Sequence, residues 1–250
     1  MGTMWSAENL LMIGAIFLLA GFVKGVVGLG LPTVALALVA ATLGLKQGMA
    51  LMLIPALATN IWQSLSGGAL RAVLRRMWVF LLAASIGAWF GVDVLAEADA
   101  ALMSGLLGIV LVCYAGISLV TQQIPAPGRH ERWMSPPVGL LAGFVAGLTG
   151  SFMVPGALYL QALRLPRDIL VQALGVAFVT TVLVLTAALA RHQILTWQIG
   201  LLSTVALGPA FAGMALGRRL RQRLPEIVFR RVFFSALLGL GIYIVARVFF

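Results

Sequence analysis

Eight apolar stretches divide this chain, and nearly all of its charged residues lie between them. They run about Leu10–Leu45, Met49–Leu70, Met77–Leu95, Ala100–Ile124, Met134–Leu163, Ile169–Ala190, Ile194–Gly217 and Val232–Ala246. Most are near the roughly 20 residues that a helix needs to cross a bilayer at 1.5 Å per residue. The chain is 62% hydrophobic and 10% charged over 250 residues. A soluble domain of that size has too small an interior to bury so much apolar surface, so the stretches read as transmembrane helices. The fold class is an all-α polytopic membrane protein.

The first and fifth stretches are longer than one crossing requires, and they share a phrase. The first carries AGFVKGVVGLGLP, from Ala20 to Pro32; the fifth carries AGFVAGLTGSFMVP, from Ala142 to Pro155. In each, glycines and then a proline interrupt the apolar run. Further matches follow in the same order: Lys46 with Arg167, Ala58-Thr59-Asn60 with Val179-Thr180-Thr181, Gly87 and Gly91 with Gly213 and Gly217, and Ser104–Gly108 with Ser235–Gly239. The chain is therefore read as a duplication. Residues 1–121 form the first membrane repeat, 122–137 a polar linker with Pro125, Pro127 and Gly128, and 138–250 the second repeat.

Loop charge orients the spans. Arg71, Arg75 and Arg76 form one basic loop, Arg129 and Arg132 lie in the linker, and Arg218, Arg219, Arg221, Arg223, Arg230 and Arg231 form another. The loop with Asp93, Glu97 and Asp99 has no lysine or arginine. Basic loops stay in the cytoplasm. The linker and the Arg218 loop then share a side. With two ordinary spans between them, the broken segment must leave and return on one face. Each repeat becomes a hairpin plus three spans, an odd number of crossings, so the two repeats have inverted topology. Such pairs of broken segments point to transporters whose site lies where the breaks meet, near the midplane. Both termini are expected outside. The first apolar run lacks a basic region before it and reads as a retained span, not a cleaved signal peptide. The net charge of +10 is assigned to orientation and to anionic lipids at the cytoplasmic loops, not to nucleic acid. Nothing in the sequence decides between a monomer and a homo-oligomer.

A helix restarting after a break presents free N–H groups and the positive end of its dipole, which favour an anion. Gly28, Gly30, Pro32, Gly147, Gly150 and Pro155 are the candidate break residues, with Thr33, Thr149 and Ser151 beside them. Gly87, Gly91, Gly213 and Gly217 read instead as close helix packing. Lys24 is the only charged residue deep inside an apolar stretch, where an ionisable group points to function. Asn60, Gln63, Thr180 and Thr181 are further polar candidates on the spans after each hairpin. Cys113 is the only cysteine, and His130 and His192 lack metal-ligand spacing, so no metal or cofactor is expected. Two other readings stand beside a carrier. One is an anion channel of the same fold; the weaker is an intramembrane hydrolase using Ser151 and His192.

The phrases AGFVKGVVGLGLP and GLLAGFVAGLTGSFMVP resemble the signature repeats of the sulfite exporter TauE/SafE family, also called the toluene-sulfonate uptake permease family. The resemblance covers nearly the whole chain. It implies a multi-pass permease of the bacterial cytoplasmic membrane carrying sulfite, sulfoacetate, other sulfonates or related small anions.

Overall fold

The computed structural model describes residues 6–28, 30–121, 124–221 and 226–249; Leu29 of the repeated phrase, residues 122 and 123 of the linker and Arg223 lie outside them. The described residues are helical with short turns and contain no strand. Among them, seven segments are long and apolar enough to cross a membrane: Ala7–Val27, Leu45–Leu65, Leu70–Glu97, Ala100–Val120, Arg167–Arg191, Trp197–Leu220 and Val228–Phe249. Large apolar side chains such as Trp78, Leu82, Phe90, Leu183 and Ile242 are exposed. Water would not tolerate so continuous an apolar surface, whereas lipid does. This is a multi-pass membrane protein.

The two broken stretches are built alike. Helix α1 (Ala7–Val27) opens at Ser6, whose side chain accepts from the Asn9 N–H at 3.3 Å. It ends at Gly28, whose φ of 87° is left-handed and whose N–H donates to the Lys24 carbonyl at 2.8 Å. Gly30, with φ 103°, then starts the short helix α2 (Leu31–Leu43), with Pro32 in its first turn where no donor is needed. After Gly44 come α3 (Leu45–Leu65), α4 (Leu70–Glu97) and α5 (Ala100–Val120). In the second half, α6 (Glu131–Thr149) ends at Gly150, also left-handed at φ 74°, with its N–H on the Ala146 carbonyl at 2.7 Å. A turn over Met153–Ala157 and the short α7 (Leu158–Ala162) follow. Then come α8 (Arg167–Arg191), α9 (Trp197–Val205), α10 (Leu207–Arg221) and α11 (Glu226–Phe249). Gly28 and Gly150 are equivalent positions of the repeated phrase, and each terminates its helix by the same left-handed cap.

Each broken stretch has one long and one short limb. The 21 residues of α1 reach about 31 Å and the 13 of α2 about 20 Å. Helix α6 begins at Glu131, within the segment read as linker, and contains Pro136 and Pro137. Its start is pinned from outside the helix. Arg76 donates to both Glu131 carboxylate oxygens at 2.7 Å, and the Tyr159 hydroxyl meets Ser135 Oγ at 2.8 Å and the Glu131 carbonyl at 3.1 Å.

The halves interlock through glycine. A Cβ added at Gly21 would fall on the Ala210 carbonyl, and one at Gly213 on the Leu18 carbonyl, so α1 and α10 lie backbone to backbone. Likewise Gly143 sits on the Ala84 carbonyl and Gly87 on the Leu140 carbonyl, joining α6 to α4. Without a hydrophobic force between helices in lipid, such close approach supplies the packing energy. The long limb of each half is thus clasped by the other half. Residue numbers rise together along both pairs, so α1 runs parallel to α10 and α6 parallel to α4. In the other cross-half pairs they run opposite: Gly175 of α8 meets Gln63 and Ser64 of α3 while Gly67 meets Asp168, and Gly108 of α5 meets Val245 of α11 while Gly105 meets Phe249.

One end of the bundle gathers Arg76 with Glu131, and Arg230 on the Ser118 carbonyl at 2.8 Å. The opposite end holds Asp93 with His192 at 2.6 Å and Arg191 at 3.3 Å, Lys46 on the Ala96 carbonyl at 3.3 Å, and Arg247 on the Ala41 carbonyl at 2.5 Å.

Candidate anion site

Lys24 lies one turn before the end of α1, and its side chain turns inward, leaving the residue 5% exposed. Its ammonium donates to Thr59 Oγ1 at 3.1 Å and to Asn60 Oδ1 at 2.5 Å, both on α3. Thr59 spends its own proton on the Pro55 carbonyl at 2.7 Å, so only its lone pairs face the lysine. Pro55 itself deprives the Leu51 carbonyl of a helix partner. Ser203 of α9 fills that gap, donating to Leu51 at 2.7 Å, as a buried membrane backbone requires. Among the described residues no carboxylate forms an ion pair with Lys24.

Four helices converge beside this lysine and enclose a cavity of about 230 Å³. Lys24 and Gly28 come from α1, Thr59 and Gln63 from α3, Arg167 and Asp168 from α8, and Arg218 from α10; Val27, Trp62, Val171 and Met214 supply apolar wall. Three cations therefore face this space against a single carboxylate. A Cβ added at Gly28 would meet nothing within 4 Å, which leaves that side of the space open. The cavity also reaches Ser66, the C-cap of α3; Arg71, Arg75 and Arg76, read from sequence as a loop, lie in the first turns of α4 that follow, so the cavity belongs to the arginine-rich end. Two glutamines brace its wall: Gln63 donates to the Val171 carbonyl and Gln172 to the Ser64 carbonyl, both at 2.8 Å. Gln172 also accepts from the Ala69 N–H at 2.9 Å.

Of the residues proposed from sequence, Lys24, Gly28 and Gln63 line the cavity, and Asn60 lies behind Lys24. Gly30, Pro32 and Thr33 are buried at the start of α2, away from its lining. The second break is packed shut. Gly150 rests against Met49 and Leu36; Phe152 stands edge-on to Phe80 and Phe178, at 6.1 and 5.8 Å between ring centroids. Thr149 Oγ1 donates to the Val145 carbonyl at 2.7 Å and accepts from the Ser151 N–H at 3.2 Å. Pro155 follows a cis peptide in the turn after it. Thr181 donates to its own helix at Ala177, 2.9 Å away, and Thr180 is half-buried beside it. So the cavity is built from the first break and three spans, and the two breaks keep different neighbours. Gly147, grouped with the breaks from sequence, packs on Gly91 and the Ala88 carbonyl and belongs to the helix contact.

Sequence reasoning missed Thr59, Arg167, Arg218 and Gln172. Arg218 and Arg167 looked like ordinary loop charge. Thr59 carried a signal, since it stands inside the repeated Ala58-Thr59-Asn60 match. The serine–histidine pair of a hydrolase is not assembled: His192 Nε2 is bonded to Asp93, and Ser151 Oγ is buried without a hydrogen-bond partner.

The family whose sequence model is described as Sulfite exporter TauE/SafE matches residues 13–244. No curated protein and no solved structure matches the chain. The matched region begins within α1 and ends within α11, so it takes in both broken stretches, the cavity helices and the interlocked glycine contacts. This chain belongs to the sulfite exporter TauE/SafE family of membrane transporters.

Proposed function

We propose that this protein is a secondary transporter of the bacterial cytoplasmic membrane. It carries a small organosulfur or related anion, of the sulfite, sulfonate or sulfoacetate type, by alternating access between two inverted repeats. The observation that carries the reading is the buried Lys24 ammonium, without an ion-pair partner among the described residues, in a cavity that also receives Arg167 and Arg218. A buried cation without a counter-charge is costly, and an anionic substrate removes that cost. The apolar wall of Val27, Val171 and Met214 suits an organic anion as well as an inorganic one.

Inversion draws support from helix direction. The cross-half pairs α3 with α8 and α5 with α11 run antiparallel, and α1 and α6 are held parallel to α10 and α4 respectively. Exchange of two halves about an axis in the membrane plane generates this pattern. Positive-inside orientation makes the arginine-rich end cytoplasmic, so the cavity faces the cytoplasm. The packed second break, with Ser151 in it and Thr180 and Thr181 within a turn of Phe178 on α8, belongs to the outward half of the path in this reading.

Counterflow in proteoliposomes tests the proposal against the channel reading. Internal unlabelled substrate speeds uptake of labelled substrate through a carrier. A channel shows no such stimulation once the membrane potential is clamped.

A further inference from the structure

We infer that Lys24 carries a proton as well as contacting the anion, so that the protein couples anion movement to proton movement in the same direction. The inference rests on the transport reading above and adds the coupling ion.

Its basis is the set of partners around the lysine. Both hydrogen-bond acceptors of the ammonium, Thr59 Oγ1 and Asn60 Oδ1, are neutral, and the residue is 5% exposed. Neither α1 nor α3 brings another ionisable group to the cavity lining: Glu8 stands in the first turn of α1, and Lys46 at the start of α3 donates to the Ala96 carbonyl. From α10 comes Arg218, which adds positive charge, and from α8 come Arg167 and Asp168, both exposed at the cavity mouth. Asp168 makes no ion pair with Lys24. Among the described residues, the empty site therefore holds a buried cation with no ion-pair partner to balance it. Two events relieve that imbalance: an anion enters, or the proton leaves through the open cavity.

A carrier must pass through closed states, in which the cavity water that shields Lys24 is gone. Closing over a lone ammonium is then the unfavourable event. Closing over an ammonium–anion pair, or over a neutral amine, is not. The loaded form crosses with anion and proton together, and the empty form returns with the amine neutral. One anion and one proton move per cycle, with no net charge for a monovalent substrate. The bond changes balance: the amine takes a proton from water on the side of loading and returns it to water on the side of release. Thr59 and Asn60 serve both forms. The Thr59 hydroxyl keeps its proton on Pro55 and accepts from either ammonium or amine.

Arginine separates the proton role from the charge role, because its guanidinium does not deprotonate in proteins. The test uses full-length protein in liposomes containing the pH dye pyranine, with valinomycin and potassium clamping the potential. Labelled methanesulfonate, benzenesulfonate and thiosulfate are the probes, since each stays ionised from pH 5 to 8. In wild type, uptake of the transported probe is expected to acidify the lumen at about one proton per anion. Lys24→Arg is expected to keep anion-for-anion exchange within about tenfold of wild type and to lose proton movement and net uptake. Uptake without acidification in wild type, or unchanged proton movement in Lys24→Arg, overturns the inference and leaves the transport reading standing. Failure of all three probes to exchange overturns the anion-carrier reading, and the inference with it.

Discussion

The Asn60 carboxamide turns its oxygen to the Lys24 ammonium, 2.5 Å away, and its NH₂ group is buried with no hydrogen-bond partner. An ammonium has only donors, so the lysine fixes which way the amide points. The same contact that holds Lys24 on α3 leaves an unused donor behind it. Buried unpaired donors are uncommon and expensive, and this one stands beside the buried Lys24.

Asn60→Asp therefore gives Lys24 the fixed counter-charge that it lacks. The variant is expected to bind anions at least tenfold more weakly, because the carboxylate occupies the cation and repels the substrate. It is also expected to melt no lower than wild type, since an unpaired buried charge becomes a paired one. Thermal melts with and without anion measure both effects. Unchanged anion binding in Asn60→Asp would place the substrate away from this lysine.

The glycine contacts make a second test. At Gly143 a Cβ would fall on the Ala84 carbonyl, and at Gly91 on the Phe144 carbonyl. Gly143→Ala and Gly91→Ala are each expected to destabilise the bundle by about 1–3 kcal/mol, because backbone must move apart. Gly208→Ala has open space and is expected to be neutral. Thermal unfolding in one detergent ranks the three, and equal melting temperatures would contradict the backbone clasp.

Orientation is open to labelling. In a Cys113→Ser background, cysteines placed at Ala96 and Gln193 are expected to react with an impermeant maleimide from outside, and cysteines at Ala126 and Arg129 only from inside. Labelling of the Ala126 and Arg129 positions from outside would invert the molecule and turn the cavity away from the cytoplasm.

The parts of this fold that show in the sequence are those fixed by local chemistry. Long apolar runs give spans, and a glycine–proline phrase gives a left-handed helix cap, as Gly28 and Gly150 both do. Lys24 stands out because a charge in an apolar run has no cheap alternative place. What the sequence leaves hidden is the placement of residues whose neighbours are distant in sequence. Gly147 sits inside the break phrase, yet it stands four residues from Gly143 and eight from Gly139, on the α4-facing stripe. Arg167 and Arg218 are about 50 residues apart in sequence and more than 140 from Lys24, and only the meeting of α1, α3, α8 and α10 brings them to one cavity. The positive-inside rule had already given Arg218 a role, which hid a second one.

The central claim is that an anion is carried at Lys24, and counterflow of labelled methanesulfonate, benzenesulfonate or thiosulfate into proteoliposomes of wild type and Lys24→Met tests it most directly. Wild-type uptake is expected to be stimulated by internal unlabelled anion. Lys24→Met is expected to insert and fold normally, since it removes a buried charge. Its anion affinity is expected to fall about thirtyfold or more, the equivalent of roughly 2–5 kcal/mol for a lost charge partner in a desolvated site. Counterflow in Lys24→Met at wild-type rate and affinity would contradict the account.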